Sequence, residues 1–172
     1  MILTGSEIAR QVDLGRIRIS NFDMAKISTN SYDLTLGPTL IEYKEEVLDP
    51  RKDNLHSVEE ISPDGLSMPK NKFLLGESAE KVGSDHFVPI IHAKSGTARL
   101  GLFVHVTADL IDIGSYGKVT FQLYSTLPIT LRAGWLIAQV SFWVPEGDIT
   151  LYDGKYNGSD GPVASRAFQG VG

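Results

Sequence analysis

The sequence predicts a mainly β fold, a barrel or sandwich of many short strands. Three observations carry that prediction. Short apolar or alternating runs recur at roughly even spacing and are broken by Gly and Pro. Helix signals occur at two places, the N-terminus and the turn at Ser95. The 172 residues, 42 % of them hydrophobic, suffice for one domain with a core of its own.

The first element reads as a helix. Thr4 and Glu7 have the T-x-x-E spacing of a capping box, Ile8 and Val12 mark one face, and Gly15 can end it. The period then changes to two. In "SYDLTLG", Tyr32, Leu34 and Leu36 alternate with Ser31, Asp33 and Thr35, and "TLIEYKEEVLD" continues that sheet after Pro38. Residues 50–72 hold Pro50, Pro63, Gly65 and Pro69 and predict a long loop or loose meander. Further strands are "KFLLGES", "HFVPIIHA", "LFVHVTA", "KVTFQLYS", "ITLRAG" and "LIAQVSFWV", with a short helix starting at Ser95. This places a β domain at residues 1–150 and a tail at 151–172. The tail is polar and rich in Gly and Ser, yet it carries Tyr152, Lys155, Tyr156, Arg166 and Phe168. A tail that orders over a ligand and one that docks on a neighbouring subunit both fit this composition.

Composition narrows the function. The net charge of −5 argues against binding polymeric nucleic acid through a basic face. No apolar run approaches the roughly 18 residues that span a bilayer. "MILTGSEIARQ" lacks the basic start and apolar stretch of a signal peptide, so a cytoplasmic protein is expected. There is no cysteine, which excludes disulfides and the Cys-ligated zinc of common nucleobase deaminases. His56, His86, His92 and His105 have no metal-ligand spacing, and His105 reads as a hydrogen-bonded core residue.

Two stretches suggest chemistry. "HAKSGTARLG" follows a strand and opens a short helix. Ser95 suits an N-cap, Gly96 lets the backbone approach a ligand, and Lys94 and Arg99 bring positive charge to a possible anion site. An ordinary capped helix start fits the same residues. In "IDIGSYGKVTFQLYS", Asp112 precedes a Gly/Ser turn and Gln122 sits in the middle of the following strand. Asp112 reads either as a turn cap or as a functional carboxylate.

Together these residues bear a resemblance. "AKSGTARLGLFVHVTADLIDIGSYG" is similar to the signature region of the dCTP deaminase and dUTPase superfamily, on Ser95, Ala98 to Gly101, Val104 to Ala108, and Ile111, Asp112 and Gly114. "MILTGSEI", "SYDLTLG", "LPITLRAGWLIAQVSF", Lys155-Tyr156 and Ala164 to Arg166 extend the likeness over almost the whole chain. The resemblance implies a distorted β-barrel of the dUTPase type and a homotrimer with sites between subunits. It implies a Mg²⁺-bound triphosphate of dUTP or dCTP, cradled by Lys94, Ser95, Gly96, Thr97, Ala98 and Arg99, with Arg99 serving a neighbour's site. The backbone near Thr107 and Ala108 and around Thr120 and Phe121 would face the pyrimidine, and Tyr152, Lys155 and Tyr156 would close over the nucleotide. No metal ligand from the protein itself is expected. Departures are Lys94 for arginine, Gly96 for serine, Ser159 for a tail glutamine, and Ser115 for an aromatic, with Tyr116 one place later.

The largest departure is Gln122, at the position where the deaminases resembled carry a catalytic glutamate. A carboxamide cannot change protonation state near neutral pH, so it cannot serve as the general base. It can still bind the base, since it offers an acceptor and two donors to the pyrimidine 4-position. Asp112 matches the aspartate with which dUTPases activate water against the α-phosphorus. The resulting expectation is a Mg²⁺-dependent dUTP or dCTP diphosphatase with catalytic Asp112 and base-reading Gln122. A dCTP deaminase, bifunctional or not, and a catalytically dead regulatory member are the alternatives.

Overall fold

The computed structural model describes residues 1–105 and 107–170. The chain folds as α1 (Gly5–Asp13), then strands β1 (Ile17–Ile19), β2 (Tyr32–Tyr43), β3 (His56–Glu60), β4 (Leu66–Met68), β5 (Phe73–Ser84) and β6 (Val88–Ala93). After these come α2 (Ser95–Arg99), β7 (Leu102–Phe103), β8 (Tyr116–Ser125), β9 (Ile129–Leu131) and β10 (Leu136–Trp143). The main antiparallel sheet runs β6-β10-β2-β5-β8-β7, with β1 added to β5 and β3 to β2, while β4 and β9 form a separate pair.

The segment after β7 draws the two edges of that sheet together. On one side the Val104 carbonyl accepts from the Gln122 amide of β8 at 2.9 Å. On the other, Ile91 donates to Asp109, Ile111 donates to Pro89, and Leu110 bridges to Ile90 of β6. The sheet therefore curls into a nearly closed barrel. Its interior holds Tyr32, Leu34, Leu36, Leu40, Phe121, Leu123, Val140 and Phe142, all fully buried. Alternation on β8 puts Val119, Phe121 and Leu123 inward and leaves Lys118, Thr120 and Gln122 on the other face.

Two buried acids hold the barrel where its ladders slip. The β2–β5 register shifts between Leu36 and Leu40, where Pro38 has no N–H to give. Beside this bulge Glu80 accepts from the Thr35 amide at 3.0 Å and Glu77 from the Thr39 amide at 3.3 Å. Lys26 pairs with Glu80 at 2.6 Å and Lys118 with Glu77 at 2.8 Å, so neither carboxylate is buried alone. Gly37 is required here, because a β-carbon would stand 2.6 Å from Glu77 Cγ.

Several sequence expectations change in detail. The N-terminal helix forms, and Gly15 ends it at φ 70° with the paired bonds Arg16 to Gln11 and Gly15 to Val12 of a Schellman motif. The capping box does not form: Thr4 makes no cap bond, and Glu7 turns to Arg10 and Gln11 at 2.6–2.9 Å. Two charge-assisted bonds from one guanidinium outcompete a reach back to a backbone amide. Ser95 is the first residue of α2 and Lys94 stands at the N-cap. The meander expected at 50–72 contains β3 and β4, and β1 had no clear signal in its three residues. "LFVHVTA" is a strand only at Leu102 and Phe103, and its Val106 lies outside the described residues, as do Val171 and Gly172 of the tail.

Candidate active site

The turn carrying Asp112 is closed by backbone alone. Its carbonyl accepts from the Ser115 amide at 3.1 Å, and Gly114 takes φ 94° at the third position, as a type II turn requires. The carboxylate is exposed and caps nothing among the described residues, which removes the turn-cap reading. Asp112 instead lines a cavity of ≈ 610 Å³ against β8, within the size range of small-molecule sites.

That cavity gathers much of the predicted site. Gln122, Thr120 and Lys118 enter it from β8, Thr107 and Ala108 from the closing segment, and Tyr152, Tyr156 and Ser159 from the tail. The tail is tied to its own chain. Ser159 donates to the Lys118 carbonyl and accepts from the Lys118 amide, Val163 donates to Thr120 Oγ1, and Tyr152 donates to the Ile113 carbonyl at 2.7 Å. Gly117 allows this approach, since a β-carbon there would lie 2.7 Å from Ser159 Oγ.

Two predicted side chains lie elsewhere, and Phe121 has only its backbone to offer. The Tyr116 ring packs under the Arg18 guanidinium, 4.8 Å away, and Ser115 lines the cavity in its place. The parity of β8 sends the Phe121 side chain into the core. Lys155 donates to the Gly170 carbonyl at 2.6 Å rather than entering the cavity.

The expected phosphate turn is also apart from the cavity in this chain. Lys94, Ser95, Gly96 and Thr97 line a second depression with Trp135 and Gln139. Lys94 is ion-paired with Asp33 of β2. Ala98 and Arg99 are exposed, and Arg99 has no hydrogen-bond or ion-pair partner among the described residues. One ammonium, Lys118, reaches the main cavity, and Glu77 already holds it.

His105 was missed as a site residue. It lines the cavity in the closing segment, with its ring edge-on to Phe121 at 6.0 Å. Both ring nitrogens are buried without a hydrogen-bond partner, so it is not the satisfied core histidine expected. Burial holds its pKa down to about 4, against weaker upward pulls from the Asp109 carboxylate and the Gln122 amide. The Gln122 amide thus stands beside the ring but outside hydrogen-bond geometry, and the imidazole is neutral at pH 7.

Residues 2–144 match the family model described as dCTP deaminase-like. The chain belongs to the dCTP deaminase-like family. Its relatives include proteins named "dCTP deaminase, dUMP-forming" from Clostridium beijerinckii, 37 % identical, and Leptospira biflexa, 35 % identical. Each alignment covers 98 % of this chain and 97–98 % of the relative. A crystal structure of 2′-deoxycytidine 5′-triphosphate deaminase from Agrobacterium tumefaciens shares the fold, with a TM-score of 0.67 at 19 % identity. The match covers 84 % of this chain and 48 % of that protein, so this family member spans about half its length.

These relatives overturn the expectation of a diphosphatase that does not deaminate. That expectation rested on the carboxamide at position 122, and the relatives favour its alternative, a deaminase. In this dCTP deaminase-like chain the fold brings an unpartnered imidazole to the same place. Among the described residues no cluster of His, Asp and Glu is arranged to hold a metal, and no helix is long and apolar enough to cross a membrane.

Proposed function

We propose that the protein converts dCTP to dUMP, releasing ammonia and pyrophosphate. The observation that carries this is its full-length similarity to relatives named as dUMP-forming dCTP deaminases. The cavity supports it, with an amide for the base and a carboxylate that has no partner among the described residues. The Gln122 amide oxygen accepts from the cytosine 4-amino group, with Thr107, Ala108 and Thr120 around the ring. Asp112 activates the water that attacks the α-phosphorus. Tyr152, Tyr156 and Ser159 cover the nucleotide.

The triphosphate needs more positive charge than one already-paired lysine supplies. Lys94 to Arg99 of a neighbouring subunit would provide it, in a homotrimer with shared sites. Asp112 is the one carboxylate among the described lining residues, which fits a Mg²⁺ ion held mainly by phosphate oxygens. When bound, the ion neutralises charge on the leaving pyrophosphate.

Incubation with dCTP and Mg²⁺ tests the reading. Chromatography should show dUMP, with ammonia and pyrophosphate in equal amounts. dCMP without ammonia overturns it.

A further inference from the structure

A reaction that yields dUMP from dCTP has two water attacks, at C4 of the base and at the α-phosphorus. These atoms stand at opposite ends of the nucleoside, so one carboxylate cannot serve both. Asp112 is the one carboxylate among the described lining residues, and Gln122 has no proton to exchange. The other titratable groups of the lining are engaged. Lys118 is paired with Glu77. The Tyr43, Tyr152 and Tyr156 hydroxyls accept from the amides of Ser165, Tyr156 and Arg166. His105 remains, with both ring nitrogens unpartnered. Val104, next to it, is hydrogen-bonded to the Gln122 backbone, which fixes the ring beside that amide.

We propose that His105 is the proton-transfer residue of deamination, working beside Gln122, which holds the amine. The inference rests on the dUMP-forming reading above. A ring nitrogen takes a proton from water as the C4–O bond forms and the C4=N3 electron pair moves to N3. The imidazolium returns that proton to N3. The same nitrogen then carries the proton of the new C4 hydroxyl to the amine nitrogen. The C4–N bond breaks, ammonia leaves, and C4 becomes the carbonyl of uracil. The low basicity set by burial keeps the imidazole in its accepting form at neutral pH. Asp109 is the acid whose charge acts on it, and Asp112 and Lys118 are the other charged groups of the cavity.

The test follows ammonia release from dCTP in the full-length protein. His105→Gln should lower kcat by about 10²-fold while KM for dCTP moves much less. Adding Gln122→Glu to that variant should recover about tenfold or more, because a carboxylate at 122 resupplies a base. His105→Ala should regain ammonia release with added imidazole, the rate following the basicity of the azole used. That variant decides the matter if His105→Gln does not fold. Wild-type ammonia release in His105→Gln, or no azole rescue of His105→Ala, overturns the proposal. A wild-type protein that yields no ammonia at all instead overturns the dUMP-forming reading.

Discussion

The main cavity and the turn at residues 94–99 are both rich in ligand-type residues, but they are built differently. The cavity is assembled by one chain from β8, the closing segment and the tail, and it contains a free carboxylate and a free imidazole. The turn lines a separate depression; its lysine is paired with Asp33 and its arginine is exposed without a partner among the described residues. Reactive groups without cation supply lie in one place, and cation supply without reactive groups in the other. The difference teaches that within one chain the reactive groups and the cations are kept apart, and the proposed triphosphate site needs the two brought together.

The largest expected effect breaks the cavity half alone. Asp112→Asn keeps the size of the side chain but removes its charge, and dUMP formation should fall by about 10²-fold or more with dCTP binding retained. Unchanged turnover would show that the exposed carboxylate is idle. The same variant sharpens the comparison when mixed with Arg99→Ala chains. In an exchanging trimer, roughly a quarter of the interfaces pair an intact cavity with an intact turn, and activity should return in that proportion. If exchange is proven and nothing returns, cavity and turn serve one chain's own site.

A smaller effect is expected where tail meets barrel. Gly117→Ala forces a β-carbon to within 2.7–2.8 Å of Ser159 atoms. Overpacking of this kind costs about 1–3 kcal/mol, and the tail, in which no described residue is buried, should yield before the buried interior of β8. KM for dCTP should rise roughly three- to tenfold, with faster proteolysis after Leu151 and little change in the melting of the barrel. A barrel that melts much earlier would place the strain in β8 itself.

The smallest effect concerns acid stability. The folded pKa of His105, about 4, lies below its ordinary 6.5, so the unfolded chain binds more protons between these values. Its contribution is complete above pH 6.5 and is lost as pH falls toward 4, on the order of 3 kcal/mol in all. Glu7, held to about 2 by Arg10 and Gln11, acts in a lower window, from 4.5 down to 2. His105→Gln should therefore flatten the dependence of unfolding free energy on pH between 6.5 and 4 and leave the lower window intact. An unaltered slope would mean that the ring is not buried neutral.

The sequence by itself determined the strand-rich architecture, the two helices and the family. Period-two apolar alternation and Gly or Pro breaks are local, and they report the face each residue presents wherever the strand later pairs. Asp112 and Gln122 stood out locally as a turn carboxylate and a mid-strand amide, while Thr120 and the tail tyrosines were named only through the family resemblance; all of them line the one cavity. It also explains the errors. Parity along β8 assigns Phe121 to the core, but the ring of Tyr116 went to Arg18 and the ammonium of Lys155 to Gly170, across contacts no spacing encodes. Glu77 and Glu80 carried no expectation from the sequence, and only the slipped β2–β5 register gave them backbone amides to satisfy. The tertiary structure alone decided His105. Spacing alone gives a histidine two residues after β7 no role, and its unpaired nitrogens exist because the closing segment crosses from β8 to β6 and sets the half-buried ring beside Gln122 at the cavity wall.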